Sequence, residues 1–114
     1  MKIEEEKLEL SDAMIQAVVE RLKALADESR VRILLRLKRG SASVNELAKT
    51  LGLAQPSVSK HLAVLKNVGL LEVQRHRTTA IYSIKDQTIY ELCELVCSGV
   101  ARFKKEEHQA LGLE

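Results

Sequence analysis

Aromatic residues are scarce in this 114-residue chain, where two tyrosines, one phenylalanine and no tryptophan give an aromatic content of 3%. This scarcity argues against a single-stranded nucleic-acid binder, since such proteins stack bases on aromatic rings. Two cysteines are too few for the disulfide framework of a small secreted protein. The N-terminus shows no apolar signal segment, and no run reaches the roughly 18 apolar residues that a membrane-spanning helix needs. These absences predict a soluble, cytoplasmic protein with no membrane partner.

Catalytic patterns are missing as well. The sequence contains no recognisable arrangement of nucleophile, base and acid, and no glycine-rich loop that could cradle a phosphate. We therefore expect no enzymatic activity and no obligatory cofactor.

The residues that are present favour one small, mainly helical domain. The hydrophobic content is 46%, and with so few aromatics the core must consist mostly of leucine, valine, isoleucine and alanine. The net charge is only +2, but it is distributed unevenly. The first ten residues are acidic, whereas residues 55–79 contain four lysines or arginines and a single acid. This asymmetry is typical of a protein that touches nucleic acid with one surface.

Residues 55–71, QPSVSKHLAVLKNVGLL, are the most informative stretch. Pro56 suits the first turn of a helix, where a missing N–H costs nothing, and Gly69 supplies a left-handed residue that ends it. An apolar stripe at three- and four-residue spacing consists of Val58, Leu62, Leu65 and Val68. The opposite face is polar. A helix anchored on one side and polar on the other suits the major groove of DNA.

The flanking patterns complete a recognisable order of elements. A first helix is predicted from Ser11 to Ala26 and a second from Val31 to Leu37, followed by a third that a Ser43–Glu46 capping box opens and Gly52 closes. After Gly69 the apolar period changes to two, which predicts a hairpin with a basic tip at residues 75–79. A second capping box, Thr88 with Glu91, would open a long last helix.

The fold predicted from this order is mainly α with a β-hairpin wing. It is a winged helix-turn-helix with the order α1-α2-α3-α4-β-β-α5. We assign residues 1–10 to a charged N-terminal arm, residues 11–108 to the DNA-binding and dimerisation domain, and residues 109–114 to a tail.

Four segments carry a resemblance to a known family. They are LADESRVRIL at 25–34, ELA at 46–48, SVSKHLAVL at 57–65 and GLL at 69–71. Together they make the chain, over residues 15–103, similar to the ArsR/SmtB family of bacterial transcriptional regulators. The resemblance implies a homodimeric repressor whose first and last helices form the dimer interface. It also implies that the recognition helix enters a major groove of operator DNA, that the wing approaches the adjacent backbone or minor groove, and that an effector releases the protein.

The chain departs from the family at the metal sites that the resemblance would imply. Ser43-Val44-Asn45 stands where a Cys-Val-Cys pair is common, so no thiolates are available there. Asp86 fits the first ligand of a site on the last helix, but the remaining ligand positions hold Thr88, Gly99 and Arg102. The wing also lacks the usual glycine.

Two groups of residues are therefore candidates for function. The predicted DNA contacts are Gln55, Ser57, Val58, Ser59, Lys60, His61, Lys66, Arg75, His76, Arg77 and Thr78. Glutamine can pair with adenine, serine and histidine can bind phosphates or base edges, and the lysines and arginines can neutralise phosphates.

The second group is the cysteine pair, Cys93 and Cys97, for which packing and sensing are both open. At this spacing the two Cβ atoms lie about 5–6 Å apart on one helix face. A disulfide prefers about 3.5–4.5 Å, so an intrahelical bridge would be strained. A soft ion tolerates the gap better, since each metal–sulfur bond adds about 2.3 Å of reach. If two last helices pair, four thiols could meet and hold arsenite, antimonite or a soft metal ion as effector.

Two alternatives compete with a repressor of this kind. The same DNA-binding protein could respond to thiol oxidation or have no small-molecule sensor. From a different class, the chain could be a winged-helix interaction module that does not bind DNA.

Overall fold

The computed structural model describes residues 10–112, so nearly all of the predicted arm and the last two residues of the tail lie outside the described part. Eight elements follow in the order α1 (Asp12–Leu25), α2 (Glu28–Leu37), β1 (Ala42–Ser43), α3 (Val44–Leu51), α4 (Gln55–Asn67), β2 (Leu71–His76), β3 (Thr79–Ile84) and α5 (Thr88–Ala110). The predicted winged helix-turn-helix is confirmed. The two-residue strand β1 is an addition that no periodic pattern of the sequence could indicate.

Short side chains start the first three helices. The Ser11 hydroxyl accepts from the Met14 amide at 3.1 Å, and the Asp27 carboxylate accepts from the Arg30 amide at 3.0 Å. Helix α2 therefore begins three residues earlier than predicted, since Asp27 caps it. The predicted capping box of Ser43 and Glu46 is present with both of its hydrogen bonds.

The second predicted capping box is wrong. Thr88 is the first residue of α5, and the helix starts without a side-chain bond from the residue before it. Instead Asp86 Oδ1 accepts from the Thr88 amide at 3.0 Å and from the Thr88 hydroxyl at 2.5 Å. The carboxylate two residues upstream thus satisfies the first turn of α5, which the spacing of threonine and glutamate could not reveal.

The strands form one antiparallel sheet in the order β1-β3-β2. Leu71 faces Ile84 at one end of the hairpin, and His76 faces Thr79 at the other. Ala42 of β1 pairs with Tyr82 on the far side of β3, which ties the start of α3 to the wing.

The core lies between α2, α3, α4 and the base of the hairpin. Leu62 of α4 is fully buried and shares the cluster with Ile33 of α2, Leu47 of α3 and Leu71 of β2. Tyr90 of α5 closes the cluster. Its hydroxyl donates to the Leu34 carbonyl at 2.8 Å, and burial raises the pKa of Tyr90 to about 12.

Helices α1 and α5 extend beyond this core. The radius of gyration is 17.3 Å, whereas a compact domain of this length has about 13 Å. Both helices carry large apolar side chains on exposed faces, among them Met14 and Val18 of α1 and Leu95 and Phe103 of α5. Within residues 10–112, no helix combines the length and the apolar character that a bilayer crossing demands.

Two substitutions on α4 test how this helix is anchored. Leu62→Ala removes a fully buried side chain and should lower the free energy of unfolding by about 2–5 kcal/mol. Val64→Ala, on the exposed side of the same helix, should change it by less than about 0.5 kcal/mol. Urea denaturation at one fixed protein concentration measures both. Equal losses in the two variants would contradict the packing described here.

Candidate nucleic-acid interface

Helices α3 and α4 form the helix-turn-helix. Gly52, with φ +65°, ends α3 in the left-handed conformation and lets the chain turn into α4 within two residues. Gln55 at the start of α4 donates from Nε2 to Oδ1 of Asn45 in the first turn of α3. The beginning of α4 is therefore braced against the preceding helix by side chains as well as by the core.

Most of the predicted contacts on α4 are accessible. Gln55, Ser59, Lys60 and Lys66 are exposed, and Ser57 is half-buried at the edge of the helix. These side chains offer an amide, two hydroxyls and two ammonium groups along one helix of 13 residues. Their placement suits contacts with base edges and phosphates.

The sequence predicts that Val58 contacts DNA, and the structure corrects this prediction. Its side chain has no exposed surface and belongs to the core cluster with Leu62 and Leu65. The periodicity of the sequence also places Val58 on the apolar stripe, and its burial agrees with that placement. We remove it from the interface.

His61 also lies elsewhere than predicted. Its side chain is only 19% exposed, and Nδ1 is 3.3 Å from Nη1 of Arg30 and 4.0 Å from a carboxylate oxygen of Asp27. Because a guanidinium can only donate, a hydrogen bond at this contact requires Nδ1 to accept. His61 thus braces α4 against α2 instead of pointing freely outward.

Arg30 extends this brace to the first helix. Its Nε donates to the Ala24 carbonyl at 2.6 Å, near the end of α1. The hydrogen bond that the Arg30 amide donates to Asp27, together with the positive charge of Arg30, lowers the pKa of Asp27. The network joins the corner between α1 and α2 to the middle of α4.

The outward face of α4 contains residues that the sequence analysis missed. Ala63, Val64 and Asn67 are exposed, and Val64 keeps 37% of its surface accessible. Alanine and valine can contact the methyl group of thymine, and asparagine can pair with adenine. The available signal was that Val64 follows Leu62 by two residues and therefore lies nearly opposite the buried stripe.

The wing presents the predicted basic groups to solvent. Arg75, His76, Arg77 and Thr78 are all exposed. The turn is tighter than the predicted five-residue tip, since His76 pairs with Thr79 and only two residues connect the strands. Arg77 takes φ +58° in place of the glycine that such a turn favours.

The wing and the helix-turn-helix share one groove. It has a volume of about 310 Å³ and is lined by Ser43 and Asn45 beside α3, Gln55 of α4, and Thr78 and Thr79 of the wing. The start of the recognition helix and the tip of the hairpin therefore form one continuous, mainly polar surface. The sequence predicts both the start of α4 and the wing tip as DNA contacts, but it does not show that the two lie side by side.

The cysteine pair lies far from this groove in the chain order, on α5. Cys93 is half-buried and Cys97 is exposed. Both line an almost wholly apolar cleft of about 350 Å³ with Leu22 of α1, Val31 of α2 and Val96. Burial is the main cause that raises the pKa of the Cys93 thiol, and the neighbouring Cys97 raises it further. In residues 10–112 of the single chain, no three acidic, histidine or cysteine side chains cluster to hold a metal.

The unusual backbone of Arg77 gives a test of the wing. A left-handed residue other than glycine costs about 1–2 kcal/mol, so Arg77→Gly should increase the free energy of unfolding by up to about 1 kcal/mol. The matched variant Arg75→Gly lies in β2 opposite Ala80 and should lower it by about 0.5–1 kcal/mol. Denaturant titrations of both variants measure the difference. A loss of stability in both would show that the turn at Arg77 is not strained.

Comparisons with known proteins agree with this geometry. Residues 27–73 match the model of the bacterial regulatory protein arsR family. The chain is 40% identical to the transcriptional regulator KmtR of Mycobacterium tuberculosis over 73% of its own length and 64% of that protein. It is 35% identical to the regulator NmtR of the same organism, over 84% of this chain and 75% of NmtR.

A solved structure extends the agreement to the fold. The homodimeric winged helix-turn-helix DNA-binding domain from Mycobacterium bovis superposes with a TM-score of 0.72 at 33% identity, over 89% of this chain and 95% of that one. The matches confirm the prediction of a DNA-binding regulator rather than an enzyme. The chain therefore belongs to the ArsR family of bacterial winged helix-turn-helix transcription regulators.

Proposed function

We propose that the protein is a homodimeric, sequence-specific repressor that binds operator DNA through α4 and the wing. The observation that carries the proposal is the shared groove, where Gln55 of the recognition helix and Thr78 of the wing face the same space. Lys60 on α4 and Arg75 on the wing are exposed on the same two elements and add positive charge to them. A major groove about 12 Å wide admits one helix, and the wing then lies against the adjoining backbone or minor groove.

Exposed apolar stripes support dimerisation through α1 and α5. Leu95 of α5 is 72% exposed and Phe103 is 60% exposed, while Met14 and Val18 of α1 are also open to solvent. Monomeric proteins rarely leave such contiguous apolar surface uncovered. A second copy on these helices would bury both stripes and place two α4 helices for successive major grooves of a palindromic site.

Salt dependence tests the DNA-binding surface. If the dimer makes about six to eight phosphate contacts, its affinity should fall about 10³-fold or more between 50 and 200 mM salt. In Arg75→Gln, each protomer loses one contact, so the slope of log K against log salt should become less negative by about 2. Fluorescence anisotropy with a duplex from upstream of the gene measures these slopes.

Arg32→Gln is the control, because Arg32 pairs with Glu28 on α2 at 2.9 Å and lies outside the proposed interface. It removes the same charge and should leave the slope unchanged. Equal slopes for Arg75→Gln and Arg32→Gln would contradict a wing contact. Absence of any salt-dependent binding to duplex DNA by the unaltered protein would favour the interaction module instead.

The finer part of the proposal concerns release. Cys93 and Cys97 line a cleft between α1, α2 and α5, and two of these helices, α1 and α5, would form the dimer interface. A ligand bound there would act on the dimer and, through it, on the spacing of the two recognition helices. We propose a thiophilic effector, with arsenite-like ligands preferred over a soft metal ion, and with antimonite in the same class.

The chemistry of the thiols supports that order. Arsenite exchanges an As–OH bond for an As–S bond with each thiol, and the thiol proton leaves in the water released. A dication instead requires thiolates and drives protons into solution. Because burial raises the pKa of Cys93, ionisation is the harder route. Completion of a metal site would also need thiols from the second copy, since one chain offers two.

Effector titrations test this part. Arsenite should lower the operator affinity of the reduced protein at least tenfold, and Cys93→Ser/Cys97→Ser should keep full affinity in its presence. Cadmium uptake, followed by thiolate absorption, should weaken as pH falls from 8 to 6, whereas arsenite uptake should not. A double variant that still responds fully to arsenite would overturn the cysteine site and leave the DNA-binding proposal intact. A response to oxidants alone would favour a redox switch.

A further inference from the structure

One side chain of α1 bridges two distant parts of the fold. Arg21 donates from Nη1 to Oδ2 of Asp86 at 2.6 Å and from Nη2 to the Val68 carbonyl at 2.8 Å. Val68 ends the recognition helix, and Asp86 lies just before α5. A single guanidinium therefore stands where α1, the end of α4 and the start of α5 meet.

The end of α4 is shaped to receive this group. The last carbonyls of a helix have no partner within the helix and carry its negative dipole end, so a cation there is favourable. Gly69 follows with φ +81°, and a Cβ at this position would lie 3.1 Å from Nη2 of Arg21. Glycine thus serves both the left-handed backbone and the close approach of the guanidinium.

The other end of the bridge is equally fixed. Asp86 uses Oδ1 to hold the amide and hydroxyl of Thr88, which leaves Oδ2 for Arg21. The Lys85 amide donates to the Leu70 carbonyl at 2.9 Å, so the segment before α5 is also tied to the chain that leaves α4. Asp86 orients the first turn of α5 and the guanidinium at the same time.

We propose that Arg21 is a positioning residue that couples the placement of α1 and α5 to the orientation of the recognition helix. The inference rests on the proposed function, in which α1 and α5 form the dimer and α4 reads DNA. The guanidinium is a rigid planar fork, so its two bonds fix a direction as well as a distance. A shift of α1 against α5 must either break one charge-assisted bond or carry the end of α4 with it.

The expected effect is on specificity. Arg21 does not reach the proposed DNA surface, so it acts on base readout only through the angle of α4. Loss of one of its bonds should weaken operator binding about tenfold, which corresponds to 1.4 kcal/mol. Affinity for a duplex of scrambled sequence depends on phosphate charge. It should therefore fall no further than in a variant that lacks another exposed arginine.

Arg21→Gln and Arg21→Lys test the proposal against the matched pair Arg32→Gln and Arg32→Lys. Arg32 lies on α2, and among residues 10–112 its side chain bonds only to Glu28 on the same helix. We expect Arg21→Gln to lower operator affinity about tenfold at constant salt. Its affinity for the scrambled duplex and its dimer association should equal those of Arg32→Gln. The operator affinity of Arg21→Lys should lie between those of the unaltered protein and Arg21→Gln, since an ammonium lacks the fixed fork that joins two acceptors. Anisotropy measures binding, and sedimentation equilibrium measures the dimer.

Several outcomes would overturn the coupling. A folded Arg21→Gln protein whose operator affinity matches that of Arg32→Gln would do so. If Arg21→Gln fails to fold, an Arg21→Lys protein with unaltered specificity would do so instead. Failure of the unaltered protein to bind any duplex would refute the proposed function alone. The coupling would then be decided by amide exchange of residues 62–69, at the end of α4 and just after it, which should accelerate in Arg21→Lys and stay unchanged if Arg21 positions nothing.

Discussion

The buried stripe of α4 is the constraint on which the interface depends. Val58, Leu62 and Leu65 have no exposed surface, and they pack against Ile33 of α2 and Leu47 of α3. This packing fixes which way the helix is rotated about its own axis, because side chains on a helix are locked at about 100° per residue. The direction in which the polar face of α4 points is then fixed as well. The proposed readout of DNA by α4 would thus be set by hydrophobic burial on the opposite face of the helix.

Local chemistry explains how much of the fold the sequence could predict. The stripe of α4, the Ser43–Glu46 capping box and the glycines after α3 and α4 act within a few residues, so spacing alone placed those elements correctly. The predicted capping box of α5 is wrong because Thr88 bonds to Asp86, which lies outside the Thr88–Glu91 pattern. Strand β1 could not be predicted because two residues show no periodic pattern, and the strand is defined by its pairing with β3.

The candidate site divides in the same way. Exposed lysines and wing arginines could be named from composition and position, since charged groups avoid the core. His61 could not be placed, because its environment comes from Arg30, which lies 31 residues earlier in the chain. The same holds for Arg21, whose partners are 47 and 65 residues away. Long-range polar contacts of this kind leave no periodic trace. They join α1 to α4 at two points, the middle of the helix through Arg30 and its end through Arg21.

The pairing of Ala42 with Tyr82 has a consequence for how DNA can be released. It fastens the entrance of α3 to the central strand of the wing, while Gln55 and Asn45 fasten α4 to α3. A strand pairing and a side-chain hydrogen bond thereby tie the helix-turn-helix and the wing into one body. An effector that distorted this body would have to break a sheet and a core. In the proposed dimer, the variable left for control is the distance and tilt between two such bodies on one operator, so an effector would change the geometry between the copies and leave each DNA-binding body intact.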